Sequence, residues 1–245
     1  MSAILVTGST EGLGRHTAEA LLDQGHRVVV HARTTTRLTA LQDLLDRGVQ
    51  AVVGDLADHE QVLDLAHQAD ELGPFDVVIH NAGVIRGPSV LPVNVVAPYE
   101  LTARMERPGR LVYLSSDMHY RGRADLAGVD WSGSGQSRSY SDSKLYVTAF
   151  AAALARLWPA VLVHAVDPGW VPTRMGGPGA TDDLREGHLT QAWLATTDDP
   201  HALVSGRYWH HQHTQEPHLA VHDEGFQEEL LESLAAHTGV TLAPR

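Results

Sequence analysis

Tyr140 and Lys144 stand four positions apart in "SYSDSKLYVTAF" (139–150), and Lys144 is the only lysine among 245 residues; the other seventeen cations are arginine. On a helix the two side chains stack on one face. A free tyrosine ionises near pH ~10, so service as a general base at neutral pH needs a drop of about 3 units, roughly 4 kcal/mol. An ammonium about 4 Å away supplies about 4 kcal/mol at an effective dielectric of ~20. One lysine is therefore of the right size. Ser115 and Ser116 end the apolar run "RLVYLSS" and point to opposite faces, so only one of them can meet the Tyr140 oxygen. Pro98 follows Asn94 by four residues and lacks an N–H, which leaves the Asn94 carbonyl free to hold a water if 94–106 is helical.

A second group of residues reads as a phosphate cradle. "TGSTEGLG" places Gly8, Gly12 and Gly14 between an apolar run and a helical pattern, spaced G-x-x-x-G-x-G. Glycines there allow a tight turn and bring backbone N–H groups to a pyrophosphate at a helix N-terminus. An NAD site wants an acid some 20 residues on, at the ribose 2′-hydroxyl. The chain has instead His31-Ala32-Arg33-Thr34, with no acid between Arg27 and Arg37. A carboxylate would repel a 2′-phosphate, whereas the Arg33 guanidinium can grip it bidentately, so NADP(H) is the expected cofactor.

These residues need a frame that brings distant segments together, and the pattern supplies one. Apolar runs at 3–8, 27–33, 49–55, 75–83, 109–116 and 160–169 alternate with helical patterns at 15–25, 36–47, 58–72, 94–106 and 138–158; weaker signals follow at 205–209 and 223–237. Unalternating apolar strands separated by helices mean a parallel sheet covered on both faces. The expectation is α/β: one doubly wound Rossmann-type domain over 1–245, with a parallel sheet of about seven strands and helices on both faces. Segments 117–137 and 174–222 (Gly-rich over 174–188) leave the carboxyl ends of strands and are candidate substrate loops.

The net charge of −12 argues against a nucleic-acid binder or an anionic membrane surface. The absence of cysteine excludes disulfides, thiolate catalysis and Cys-ligated metals. No apolar run approaches a membrane span of ~18 residues and no signal peptide precedes the first strand, so a cytoplasmic protein is expected. The His-rich "WHHQHTQEPHLAVH" (209–222) invites a metal reading. Pro217 and the lack of an i, i+4 ligand pattern favour a polar loop, and no metal is expected.

Taken together, "TGSTEGLG", "NAG" (81–83), Asn94 in "NVVAPY", "YLSS" (113–116), the Tyr140–Lys144 pair and "PGWVPT" (168–173) closely resemble the short-chain dehydrogenases/reductases from residue 3 to about 173. The "SSxxH" start at Ser115, Ser116 and His119, with 24 positions from Ser116 to Tyr140, is similar to the retinol-dehydrogenase-like branch. The resemblance implies Tyr140 as acid/base, Lys144 as its pKa-lowering cation and ribose ligand, and Ser116 as the group orienting the substrate oxygen. Asn94 would maintain a water-linked relay. It also implies cofactor contacts from Gly8, Ser9, Thr10, Gly12, Leu13, Gly14, Asp55, Leu56, Asn81, Ala82, Gly83, Tyr140, Lys144, Pro168, Gly169, the Val171 backbone and Thr173. The activity implied is interconversion of a carbonyl with a primary or secondary alcohol, as in a carbonyl reductase, on a small, apolar or aromatic substrate. A redox sensor or scaffold without turnover is the alternative. Such a protein would not need Ser116, Tyr140 and Lys144 together. The resemblance also allows a homodimer, although the 84–114 stretch, which includes the helix that often builds the family's interface, is short.

Overall fold

A computed structural model of the protein describes residues 1–243. Eight strands form one sheet: β1 (Ala3–Val6), β2 (Arg27–Ala32), β3 (Gln50–Val53), β4 (Val77–His80), β5 (Arg110–Leu114), β6 (Leu162–Asp167), β7 (Arg207–His210) and β8 (His213–Gln215). Their order is β3-β2-β1-β4-β5-β6-β7-β8. All pairings are parallel except β7 with β8, which is antiparallel. The chain winds outward from β1 to β3, then returns to place β4 on the other side of β1. Between β1 and β4 the winding reverses, and a crevice opens there beyond the carboxyl ends of the strands.

The strands are apolar on both faces because both are covered. Ile4 and Val6 point to a core shared with α1 (Gly12–Asp23), α2 (Gln42–Asp46) and α6 (Leu184–Thr196). Leu5 points the other way, to a core shared with α3 (His59–Leu72), α4 (Ala97–Arg104), α5 (Tyr140–Leu157) and α7 (Glu224–Thr238). α5 is buried along most of its length, from Ser141 to Leu154, because α7 lies across the face that the sheet leaves open. The residues after α7 tie the same region: the Val240 carbonyl accepts from Tyr99 Oη at 2.8 Å, and the Ala243 carbonyl from Trp158 Nε1 at 2.9 Å.

Four features depart from the sequence expectation. To the parallel sheet of about seven strands expected, β8 adds an antiparallel edge through a hairpin turned by His211 and Gln212 at φ 46° and 63°. The 174–222 stretch is no continuous loop, since α6, β7 and β8 lie within it. The helix expected over 36–47 is a 3-10 segment (Thr35–Leu41) followed by α2. The helix expected from 94 is entered through a π-helical turn (Pro92–Val96). Among the described residues no helix is long and apolar enough to cross a membrane.

Candidate active site

The glycine turn joins β1 to α1 at the crevice. Gly8 and Gly12 take φ of +66° and +59°, a region closed to most side chains, and a Cβ on Gly8 would stand 2.8 Å from the Ala82 Cα. The turn is pinned from both sides. Asn81 Nδ2 donates to the carbonyls of Thr7 (2.9 Å) and Gly8 (3.2 Å), and the Gly8 N–H donates to His31 Nδ1 at 2.9 Å. That bond makes Nδ1 the acceptor, so Nε2 carries the proton it donates to the Gly54 carbonyl at 2.8 Å. Burial lowers the His31 pKa and keeps the ring neutral. His31 therefore ties the turn to β2 and to the end of β3, a role its sequence position did not signal.

Beyond the turn lies a cleft of about 650 Å³. Gly8, Thr10, Gly12, Leu13 and Gly14 line it from the turn, and Arg33, Asp55, Leu56, Asn81, Ala82 and Gly83 from the ends of β2, β3 and β4. Pro168 and Thr173 close it from the segment after β6, and Tyr140 and Lys144 from α5. Although the chain carries a net charge of −12, this cleft is basic. Among the described residues, Arg33, Arg37, Arg86, Arg174 and Lys144 line it against two acids, Glu11 and Asp55. Such a lining fits a phosphate-bearing dinucleotide, and it draws anions by focusing the local field. Arg33 is exposed and has no carboxylate within ion-pair distance among the described residues. Arg37, one short turn further on, was not singled out in the sequence; it reaches Thr10 Oγ1 and Glu11 at 3.1 Å each.

Three expected cofactor contacts fall outside the lining. Ser9 is fully buried. Its hydroxyl donates to the Val6 carbonyl and accepts from the His31 N–H, while its own N–H donates to the His31 carbonyl at 3.1 Å. It shapes the turn and has no group left for a phosphate. The Val171 side chain is buried against α6, and its carbonyl already accepts from the Thr173 N–H at 2.8 Å. The Gly169 N–H is taken by Asp167 Oδ1 at 2.9 Å, and its φ of +80° serves the bend after β6.

The chemical end of the cleft is built around the first turn of α5. Ser139 caps this helix: its hydroxyl accepts from the Asp142 N–H at 3.1 Å, and Asp142 Oδ2 accepts from the Ser139 N–H at 2.9 Å. Tyr140 is thus the first helical residue, fixed by a reciprocal cap. Ser116, just beyond β5, lies near enough to the phenol to act on its pKa, while its hydroxyl donates to Asp117 Oδ1 and accepts from the Met118 N–H at 3.2 Å each; Ser115 is the serine in the cleft lining, and its Oγ shares a 2.6 Å hydrogen bond with Thr148 Oγ1. Lys144 is 4% exposed and donates to the Leu114 carbonyl at 2.5 Å, with Nζ 5.4 Å from the Tyr140 ring centre. A Cβ on Gly83 would stand 3.4 Å from Asn94 Oδ1 and 3.7 Å from Lys144 Nζ, so these groups meet at one point. The Asn94 amide is fully used, accepting from the Val84 N–H (2.8 Å) and donating to the Val84 carbonyl and Ser143 Oγ (2.9 Å each). Its backbone carbonyl lies within the π-helical turn (Pro92–Val96).

The electrostatics correct one expectation. Burial pushes the Tyr140 pKa up, the neighbouring Ser116 hydroxyl opposes this, and the nearby Asp167 and Asp117 carboxylates add to the rise. Burial also lowers Lys144 to about 8, with Asp167 opposing. Lys144 is engaged by the Leu114 carbonyl and does not by itself bring the phenol toward neutrality. Asp167, which the sequence reading passed over, is the buried acid at the end of β6. Its own pKa is raised by burial, and Oδ2 lies 3.2 Å from His210 Nδ1. Of the other histidines of 209–222, His211 lies 3.5 Å from Glu186 of α6, the His218 ring accepts from the Ala220 N–H, and His222 lies 3.4 Å from Glu216. Among the described residues no group of three or more His, Asp or Glu could hold a metal ion.

Comparison with known proteins places this geometry in context. The short chain dehydrogenase family model matches residues 2–117. The chain is 37% identical to an uncharacterized oxidoreductase of Emericella nidulans, the alignment covering 98% of each. It is 33% identical to the short-chain dehydrogenase chyC of Penicillium rubens, with 99% of each covered. A crystal structure of a single-site variant of actinorhodin polyketide ketoreductase with NADPH superposes with a TM-score of 0.68 at 25% identity, covering 85% of this chain and 95% of that one. Likeness along nearly the whole chain makes this protein a member of the short-chain dehydrogenase/reductase family of oxidoreductases.

Proposed function

We propose that the protein is an NADP(H)-dependent carbonyl reductase, interconverting a carbonyl with a primary or secondary alcohol. The observation that carries this reading is that Tyr140 and Lys144 line the inner end of a basic, glycine-floored cleft, with Ser116 near enough to the phenol to oppose the rise in its pKa. When bound, reduced nicotinamide supplies the hydride. Ser116 and Tyr140 orient the substrate oxygen by hydrogen bonds, and Tyr140 donates its proton as the oxygen gains charge. Burial keeps that phenol protonated, which suits reduction of a carbonyl. Lys144, beside Asn94 and Gly83, is the group through which the proton is restored from water, by way of the Asn94 carbonyl. Arg33 holds the cofactor's 2′-phosphate, and the 8–14 turn its pyrophosphate.

The substrate is apolar or aromatic. Ile85, Tyr120, Trp170 and Met175 are exposed large hydrophobic residues, and they follow β4, β5 and β6 at the carboxyl end of the sheet. The test is NADPH oxidation against a panel of aldehydes, ketones and quinones, run beside Tyr140→Phe and Arg33→Ala. Loss of turnover in Tyr140→Phe is expected, together with a drop of roughly 10–100-fold in NADPH-over-NADH preference in Arg33→Ala, the worth of a charge-assisted phosphate contact. Normal turnover in Tyr140→Phe, or no NADPH oxidation with any carbonyl, would remove the proposal.

A further inference from the structure

Glu11 caps α1 by position only. Its backbone is extended at the N-cap, yet its side chain makes no capping hydrogen bond. The carboxylate is turned instead into the mouth of the cleft, where Oε1 holds two arginines at once: Arg174 at 2.9 Å and Arg37 at 3.1 Å. These come from opposite walls. Arg37 belongs to the 3-10 segment after β2, on the side of Arg33; Arg174 belongs to the segment after β6, next to Thr173, whose methyl would stand 3.2 Å from a Cβ on Gly12. All three side chains line the cleft. A negative group at the N-terminus of α1, between two arginines, occupies the place and the partners that a phosphate would take there.

We infer that Glu11 is a built-in stand-in for cofactor phosphate, holding Arg37 and Arg174 while the cleft is empty and giving both up when a phosphate enters. The inference rests on the reading that this cleft takes NADP(H). Both ion pairs are solvent-accessible, with Glu11 45% and Arg174 75% exposed, so they are weak enough to exchange. Once the cofactor is in, the Glu11 carboxylate faces phosphate oxygens of its own sign and promotes release. Glu11 thereby sets cofactor affinity and off-rate, and it ties the 170–176 segment to the phosphate turn. Trp170, half exposed on that segment and bonded through Nε1 to the Gly176 carbonyl at 2.9 Å, reports on its position.

The experiment has two arms. In the first, NADPH is titrated by tryptophan fluorescence into wild type, Glu11→Gln and Glu11→Ala, with stopped-flow release. Exposed ion pairs each shift an equilibrium by a factor of roughly 1.5–5, so binding should tighten about 3–10-fold, mainly through slower release. The gain should shrink when Arg174→Gln is added, because the partner is then gone. In the second arm, run without cofactor, trypsin cleavage after Arg174 is followed by mass spectrometry. Glu11→Gln should be cut several-fold faster than wild type, at an unchanged melting temperature. Unchanged or weaker NADPH binding in both variants, or equal cleavage at Arg174, would overturn the inference. A wild-type preference for NADH would instead overturn the NADP(H) reading, while the cleavage arm still decides whether Glu11 holds Arg174.

Discussion

Replacing Lys144 with methionine should abolish turnover and yet stabilise the cofactor-free protein. The ammonium is 4% exposed, and burial lowers its pKa to about 8 from a reference of 10.5. Below pH 8 the group is charged in both folded and unfolded chains, and the folded state bears the full cost of holding a buried charge. That cost is about 3 kcal/mol at pH 7 for a shift of this size. Between pH 8 and 10.5 the unfolded chain binds more protons than the folded one, so wild-type stability rises with pH there. By pH 9.5 the remaining cost is about 1 kcal/mol. Methionine removes the cost and its pH dependence. It also leaves the Leu114 carbonyl without its 2.5 Å donor, a loss of about 1–2 kcal/mol that does not depend on pH below 8. The net expectation is a variant about 1–2 kcal/mol more stable at pH 7, whose advantage narrows by about 2 kcal/mol by pH 9.5. Urea unfolding of both proteins at pH 7, 8 and 9.5, without cofactor, measures this. A difference that stays constant across the three pH values would show that Lys144 is not held at a depressed pKa, and the reasoning would fail.

Four further outcomes are expected. Lys144→Arg should lose at least ~100-fold in turnover in steady-state kinetics, because a planar guanidinium cannot occupy the ammonium's place between Leu114, Gly83 and Asn94 without displacing them. Ser116→Ala should lose about 100-fold in kcat with little change in melting temperature. Ser115→Ala should keep most activity and lose about 1 kcal/mol of stability, since its hydroxyl serves Thr148. By sedimentation equilibrium the protein should be monomeric at micromolar concentration, because α7 and residues 238–243 already cover α5 and α4; a stable dimer would show that another face associates.

The sequence revealed most where one local rule dominates. Unalternating strands, glycines at a turn and a Ser-Tyr-Lys constellation are each read from neighbouring residues, and the parallel frame follows from their order. It was least informative where distant segments meet. α6 escaped notice because Gly187 interrupts its pattern, yet that glycine is what lets the helix approach: a Cβ there would stand 2.6 Å from Val171 Cγ1 and 3.1 Å from Leu13 Cδ2. β8 is three exposed polar residues with no apolar signal, and its hairpin is turned by His211-Gln212 rather than by glycine or asparagine. Ser9 lies inside the phosphate turn by sequence but faces the core, a distinction set by its bond to Val6. Glu11, Arg37 and Arg174 join only after the sheet has brought the exits of β2 and β6 to one side.

The covering of α5 by α7 also bears on how the chain reaches its native state. The helix carrying Tyr140 and Lys144 is held on one side by strands β5 and β6 and on the other by α7, which is synthesised after all of them. Until residues 224–243 arrive, the Tyr146 ring of α5 lacks its Phe226 neighbour, 6.0 Å away between ring centres, and the Trp158 indole lacks the Ala243 carbonyl. A nascent chain in this condition exposes sticky surface at the stage when parallel, non-local pairing is still slow. Completion of the packing around the reactive helix therefore waits on α7, a segment some seventy residues further along the chain.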